Sequence, residues 1–197
     1  MKAIIFDSDG MLTFDPGFSK TYAKEHGISL EEMTPFFTGP FKSALVGKAD
    51  LKEELQKGWL EKWGWKGTVD ELLGYWFAVG SRPDPEILAT ILDLRKRGII
   101  CVLATNQEKH RTDHMLGAFG YADVFDKVFS SAYVGHKKPT PEFFDEVFSY
   151  LQSRDSSIGK SDVMFWDDDP ENVEGAKNYG FDARQFTNLD SYKIALQ

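Results

Sequence analysis

Four short apolar runs constrain this chain more than any other feature. They are KAIIF (2–6), IICVLA (99–104), DKVFSS (126–131) and DVMFW (162–166), each rich in β-branched or aromatic residues and bounded by polar residues or glycine. Such runs read as strands buried on both faces, the setting of a parallel sheet. FDARQF (181–186) is a weaker fifth. Between the later runs lie stretches of helical period: 85–97, 107–119, 141–152 and 170–179. Three of these begin with one device, Asp84-Pro85-Glu86, Thr140-Pro141-Glu142 and Asp169-Pro170-Glu171. Each predicts a capping side chain, then a proline that needs no amide, then an acid near the positive helix end.

Strands alternating with helices call for right-handed crossovers. The expected fold is therefore α/β: a Rossmann-like parallel sheet with helices on both faces. Residues 15–80 break the rhythm. They hold no convincing strand and read as short helices at 18–26, 29–37, 40–47, 50–63 and 67–79, punctuated by Gly27, Gly39-Pro40, Gly47 and Gly64. The spacing of Trp59 and Trp63, with Leu55, Leu60 and Trp76 in the same pattern, predicts the small core of a helical subdomain. Ring stacking on a ligand is the alternative for one of these tryptophans. The predicted organisation is a catalytic core of residues 1–14 and 81–197, with a small all-helical cap domain of residues 15–80.

The net charge of −8 argues against nucleic acid or an anionic membrane as a partner. The single cysteine, Cys101, lies inside an apolar run and predicts a buried thiol. AIIF is too short for a signal peptide and no stretch is long enough to span a bilayer, so a cytoplasmic protein is expected, monomeric or weakly dimeric.

Strand ends are where open α/β sheets bind ligands. The first ends in Asp7-Ser8-Asp9-Gly10 and the second in Thr105-Asn106. The third is followed by Lys137-Lys138-Pro139, and the fourth ends in Asp167-Asp168-Asp169. A parallel sheet sets these ends side by side. Two unit charges ~4 Å apart repel by about 4 kcal/mol at an effective dielectric of about 20, so such acids need protons or a cation. Oxygen donors without Cys or His favour Mg²⁺, with a substrate phosphate completing its shell. Lys138 suits a phosphoryl oxygen. Asp169, before Pro170, is expected to cap its helix, which leaves Asp167 and Asp168 as metal candidates.

These residues resemble the haloacid dehalogenase superfamily. Its motifs stand here in order as FDSDGML, LATN, KKPTPEFF and FWDDDPENVEGAKNYG, with the helical insert where that family places a cap. Met11 departs mildly from the commoner residue at its place. The resemblance implies Asp7 as a nucleophile that forms an aspartyl-phosphate, and Asp9 as general acid and then base. It implies Thr105, the Asn106 amide and Lys138 around the phosphoryl oxygens, with Mg²⁺ held by Asp7, the Asp9 carbonyl, Asp168 and Asp167. Asn172 would orient the acids. Asp9 favours phosphoryl transfer, because carbon–halogen cleavage needs no proton donor for the leaving group.

The expected function is a Mg²⁺-dependent phosphatase acting on a small phosphorylated metabolite, with a sugar phosphate as one candidate. Two alternatives stand beside it: a phosphomutase of the β-phosphoglucomutase type, which would differ only in the cap, and a non-catalytic phosphate- or Mg²⁺-binding regulator. His110 and His114, four residues apart, lack the neighbouring Glu and third ligand of a zinc site. His136 and Lys137 read as loop residues. Lys42 and Lys48 in GPFKSALVGK could reach a distal anion from the cap, and ordinary surface lysines are the plainer reading.

Overall fold

The computed structural model describes residues 1–14, 17–79 and 82–188. The expected domain boundaries, 14/15 and 80/81, border or fall on residues outside that set. Five strands form one parallel sheet in the order β3-β2-β1-β4-β5: β1 (Ala3–Phe6), β2 (Ile100–Thr105), β3 (Lys127–Ser130), β4 (Val163–Asp167) and β5 (Asp182–Gln185). β1 lies between β2 and β4, with Phe6 level with Leu103 on one side and Trp166 on the other. The direction of winding therefore reverses at β1, the strand that ends in the two aspartates.

Strand alternation divides the apolar residues between two layers. Ile4, Phe6, Cys101, Leu103, Met164 and Trp166 face one cluster, shared with Ile87, Ile91 and Leu94. Ala3, Ile5, Val102, Ala104, Val163 and Phe165 face the other, shared with Phe143, Phe144, Val147 and Leu151. Burial on both faces is why these strands read as continuous apolar runs.

The helices begin with α1 (Phe18–His26), α2 (Leu30–Thr38), α3 (Pro40–Leu45), α4 (Leu51–Gln56), α5 (Trp59–Lys62) and α6 (Val69–Val79), whose residues form a third cluster of their own. The helix expected over 50–63 is two short ones, because Gly58 sits at φ 95° and breaks the turn. Trp63 is fully enclosed, against Phe36 and Tyr22, whose hydroxyl donates to the Trp63 carbonyl at 3.0 Å. Trp59 and Trp76 are only partly buried. Ser29 and Glu32 form a reciprocal capping box that starts α2.

The remaining helices are α7 (Pro85–Lys96), α8 (Lys109–Ala118), α9 (Tyr121–Val124), α10 (Ser131–Val134), α11 (Pro141–Arg154) and α12 (Pro170–Tyr179). Asp84 caps α7 and Asp169 caps α12 through their side chains. Thr140 does not cap α11 as expected: its hydroxyl is buried without a hydrogen-bond partner among the described residues. The residues after β3 are not plain loop either, since Ser131–Val134 makes one helical turn. No helix among the described residues is long and apolar enough to cross a membrane.

Three contacts tie the helical insert to the sheet layer. Arg111 of α8 donates to the Phe77 carbonyl at 3.2 Å, and His110 Nε2 lies 2.9 Å from Asp50 Oδ2. Gly47, at φ 69°, abuts the Ala132 carbonyl so closely that a Cβ there would overlap it.

Candidate active site

The β1 strand stops where its apolar run stops, and the next residue is Asp7. Its amide still continues the sheet, donating to the Trp166 carbonyl at 2.9 Å. The carboxylate is thereby fixed at the sheet edge. Thr105, 1 % exposed, ends the neighbouring strand.

Between these ends rises Lys138, whose side chain is 1 % exposed. Its Nζ lies 2.7 Å from Asp7 Oδ1 and 2.5 Å from Asp167 Oδ2. An ammonium this deep in the protein survives only because two carboxylates meet it. Burial works to lower its pKa, and Asp7 with Asp167 overcomes that, holding Lys138 above the ordinary lysine range. On Asp7 burial dominates, reinforced by the charge of Asp167 and opposed by Lys138, and pushes the carboxyl up to about 7. Both directions follow from one fact: the cluster holds more carboxylate than ammonium in a dry place.

Asp167 is oriented from three sides. Besides Lys138, it accepts from the Asp169 amide at 2.9 Å and from Asn172 Nδ2 at 3.1 Å to each oxygen. Asn172 thus holds an acid in place, the task expected of it. Asp168 is more exposed, and burial followed by the charge of Asp167 raises its pKa. Carboxylate oxygens of Asp7, Asp167 and Asp168 lie within 4.8 Å of one another. Gly10 makes this convergence possible. At φ 79° a Cβ would be strained, and it would run into the Asp168 carboxylate.

Asn106 does more than its position suggested. Its side-chain amide clamps Lys138 through both backbone groups, donating to the Lys138 carbonyl at 3.0 Å and accepting from its amide at 2.8 Å. The loop after β2 therefore sets the height of the lysine. Asp9 stands apart from the carboxylate cluster. Thr13 Oγ1 donates to it at 3.0 Å, and Gln107 Nε2 donates a short hydrogen bond to its other oxygen. Sequence reasoning passed over Gln107, because nothing in LATNQ marks the residue after Asn106 as reaching Asp9.

The Asp9 side opens into a chamber of about 260 Å³ between the sheet edge and the insert. Asp9, Asn106 and Gln107 line its floor. Lys42 and Lys48 are exposed and do not line it.

The donor set suits a hard divalent cation. Three carboxyl groups stand against one ammonium, and no Cys or His stands among the donors.

Comparison with known proteins agrees with this geometry. Phosphatase MT3486 of Mycobacterium tuberculosis (strain CDC 1551 / Oshkosh) is 26% identical over 201 residues, covering 93% of this chain and 86% of its own. A D-ribitol-5-phosphate phosphatase of Bacteroides thetaiotaomicron is 28% identical over 156 residues, covering 77% of this chain and 73% of its own. A HAD family enzyme of Bacteroides thetaiotaomicron, solved in complex with magnesium and inorganic phosphate, superposes with a TM-score of 0.74 at 21% identity, over 96% of this chain and 94% of that one. The model of haloacid dehalogenase-like hydrolases matches residues 1–180, which takes in β1 to β4 and the helical insert. That match covers far more than half of the chain, and the chain belongs to the haloacid dehalogenase-like hydrolases.

Proposed function

We propose that this hydrolase is a Mg²⁺-dependent phosphatase that cleaves a small phosphoric monoester through an aspartyl-phosphate. The observation that carries the reading is the division of labour among the acids. Asp7, Asp167 and Asp168 gather around the buried Lys138, whereas Asp9 faces the chamber. A phosphoryl group needs charge stabilisation on one side and a proton donor for its leaving oxygen on the other.

Asp7, Asp168 and Asp167 would hold the ion, with the Asp9 carbonyl. Bound there, Mg²⁺ would offset the charge of the acids and of the phosphoryl oxygens. Asp7 attacks phosphorus, forming an acyl-phosphate bond as the phosphorus–alcohol oxygen bond breaks. Asp9 gives its proton to the departing oxygen, then takes one from the water that attacks phosphorus and releases Asp7 as carboxylate. Gln107 and Thr13 aim Asp9 for both steps. Lys138 turns from the carboxylates to the phosphoryl oxygens, and Thr105 with the Asn106 amide shares that load. The names of the relatives support phosphatase chemistry, and the D-ribitol-5-phosphate enzyme supports a polyol or sugar phosphate as one candidate substrate.

The test is release of inorganic phosphate from p-nitrophenyl phosphate. It is expected with Mg²⁺, to stop with EDTA, and to fall by at least about 10⁴-fold in Asp7→Asn, since loss of a nucleophile removes a whole reaction path. Retained turnover in Asp7→Asn would remove the proposed intermediate. Conversion of a sugar 1-phosphate to its 6-phosphate without free phosphate would replace hydrolysis by the mutase reading. Cytoplasmic location and a monomeric or weakly dimeric state are part of the same proposal, checked by fractionation and sizing.

A further inference from the structure

The chamber above Asp9 has two unlike surfaces. Its ceiling, from the insert, is Phe18, Phe37, Phe41, Leu45, Trp76 and Phe77. Ser19 is the only hydroxyl the insert contributes. Phe18 and Trp76 stack face to face at 4.2 Å, which makes the roof a flat aromatic wall. Each polar residue of the floor makes at least one hydrogen bond within the protein. Gln107 donates to Asp9, while Glu108 accepts from the His110 and Arg111 amides at 2.7 and 2.5 Å. Asn106 is spent on Lys138. Arg111, 7 % exposed, lies between the rings of Phe77 and Phe119 with one N–H on the Phe77 carbonyl. That bond engages one of its five N–H donors, and the flanking rings hold the guanidinium in place.

Resting on the phosphatase reading, we infer that the substrate's alcohol is apolar: a single aromatic ring or a short branched hydrocarbon chain on a primary phosphoric ester. The leaving oxygen must sit at Asp9, and the group attached to it then fills the space Asp9 faces. A hydroxyl enclosed there without a partner costs about tenfold in binding, and a polyol carries several. Each methylene moved from water to this wall is worth about fourfold in the opposite direction. The size sets the upper bound. A volume near 260 Å³ has room for one ring or a short chain against the apolar ceiling.

Leu45 reads this out cleanly. It lines the chamber and does not belong to the insert's own apolar cluster, so a change there leaves the fold alone. The experiment compares kcat/KM with Mg²⁺ for benzyl phosphate and 3-methylbutyl phosphate against ribitol 5-phosphate and glucose 6-phosphate, all esters of primary alcohols. The apolar esters are expected to be better by about 100-fold or more, from the hydroxyl and methylene effects together. Leu45→Gln should lower kcat/KM for the apolar esters about tenfold, through KM, and narrow their advantage over the polyhydroxylated esters by a similar factor. Equal or better turnover of the polyhydroxylated esters would overturn the inference and keep the phosphatase reading. So would a Leu45→Gln enzyme whose preference is unaltered. Hydrolysis of none of these esters would overturn the phosphatase reading, and the inference with it.

Discussion

The strand-end site and the interior of the helical insert are buried by opposite means. At the strand ends a few charged groups are enclosed, and each is fixed by directed bonds: Lys138 to two carboxylates, Asp167 to three donors. In the insert, rings are packed chiefly against other rings, and Tyr22 adds a hydrogen bond to the Trp63 carbonyl. Trp63 is 2 % exposed and its indole N–H has no hydrogen-bond partner among the described residues. Directed bonds on rigid strands define positions to within the tolerance chemistry needs. Ring packing in helices of four to eleven residues defines a volume and tolerates rearrangement of its wall.

The sharpest way to break that contrast is Lys138→Met. If the lysine is integral to both fold and chemistry, removing it leaves Asp7 and Asp167 buried without their cation. The expected loss is about 3–5 kcal/mol of stability, the usual result of orphaning a buried charge, read by urea unfolding. Phosphatase turnover should fall about 10²–10³-fold in addition, as for removal of one oxyanion donor. The double variant Lys138→Met/Asp167→Asn should recover most of the stability and none of the turnover. A Lys138→Met protein as stable as the parent would show that the site is not bound into the fold.

How much of this could be read from residues alone follows the same division. The sheet edge was legible because strand order and apolar run length decide where a strand stops, and Asp7, Thr105 and Asp167 follow directly. Gly10 was legible as a turn. Its closeness to Asp168 was not, since the two are 158 positions apart and meet only in the folded sheet. The Asn106 clamp and the Gln107–Asp9 bond depend on where one loop lies over another strand, which no local pattern encodes. Thr140 shows the limit of a local rule: the Thr-Pro-Glu signature marks the start of α11 correctly, and its hydroxyl still makes no cap. In the insert, the spacing of Trp59 and Trp63 predicts packing, and the fold encloses Trp63 while leaving Trp59 partly buried.

The next largest effect tests the aromatic interior. Trp63→Ala removes a ring that touches Phe36, Phe37 and Tyr22, and should cost about 3 kcal/mol. If the insert is a separate packing unit, native-state hydrogen exchange should show protection lost in α1, α2 and α6 while the amides of β1 and β4 keep theirs. Equal loss in the strands would merge the two regions into one cooperative unit and remove the basis for treating the insert's wall as independently adjustable.

The smallest effect concerns the joint between the regions, where Asp50 starts α4 and meets His110 of α8. Its Oδ1 accepts from the Lys52 and Glu53 amides at 2.8 and 3.2 Å, and its Oδ2 lies 2.9 Å from His110 Nε2. Burial alone would raise this carboxyl, and the Glu53 amide and His110 outweigh it, holding Asp50 below the ordinary carboxylate range. The folded protein therefore binds that proton more weakly than the unfolded chain. The stabilisation is complete above the unfolded value of about 3.9 and drains away as pH falls through the folded value below it. Asp50→Ala should cost about 1 kcal/mol at pH 7, the usual worth of a helix cap, and the gap from the parent should narrow as pH falls below about 3.9. Asp50→Asn separates the two contributions, because asparagine caps as well as aspartate and carries no charge. It should keep most of the stability at pH 7 and lose the acid-sensitive part. A gap between Asp50→Ala and the parent that stays constant from pH 7 to pH 3 would assign the joint to shape alone and leave the ionised carboxylate no part in holding insert to sheet.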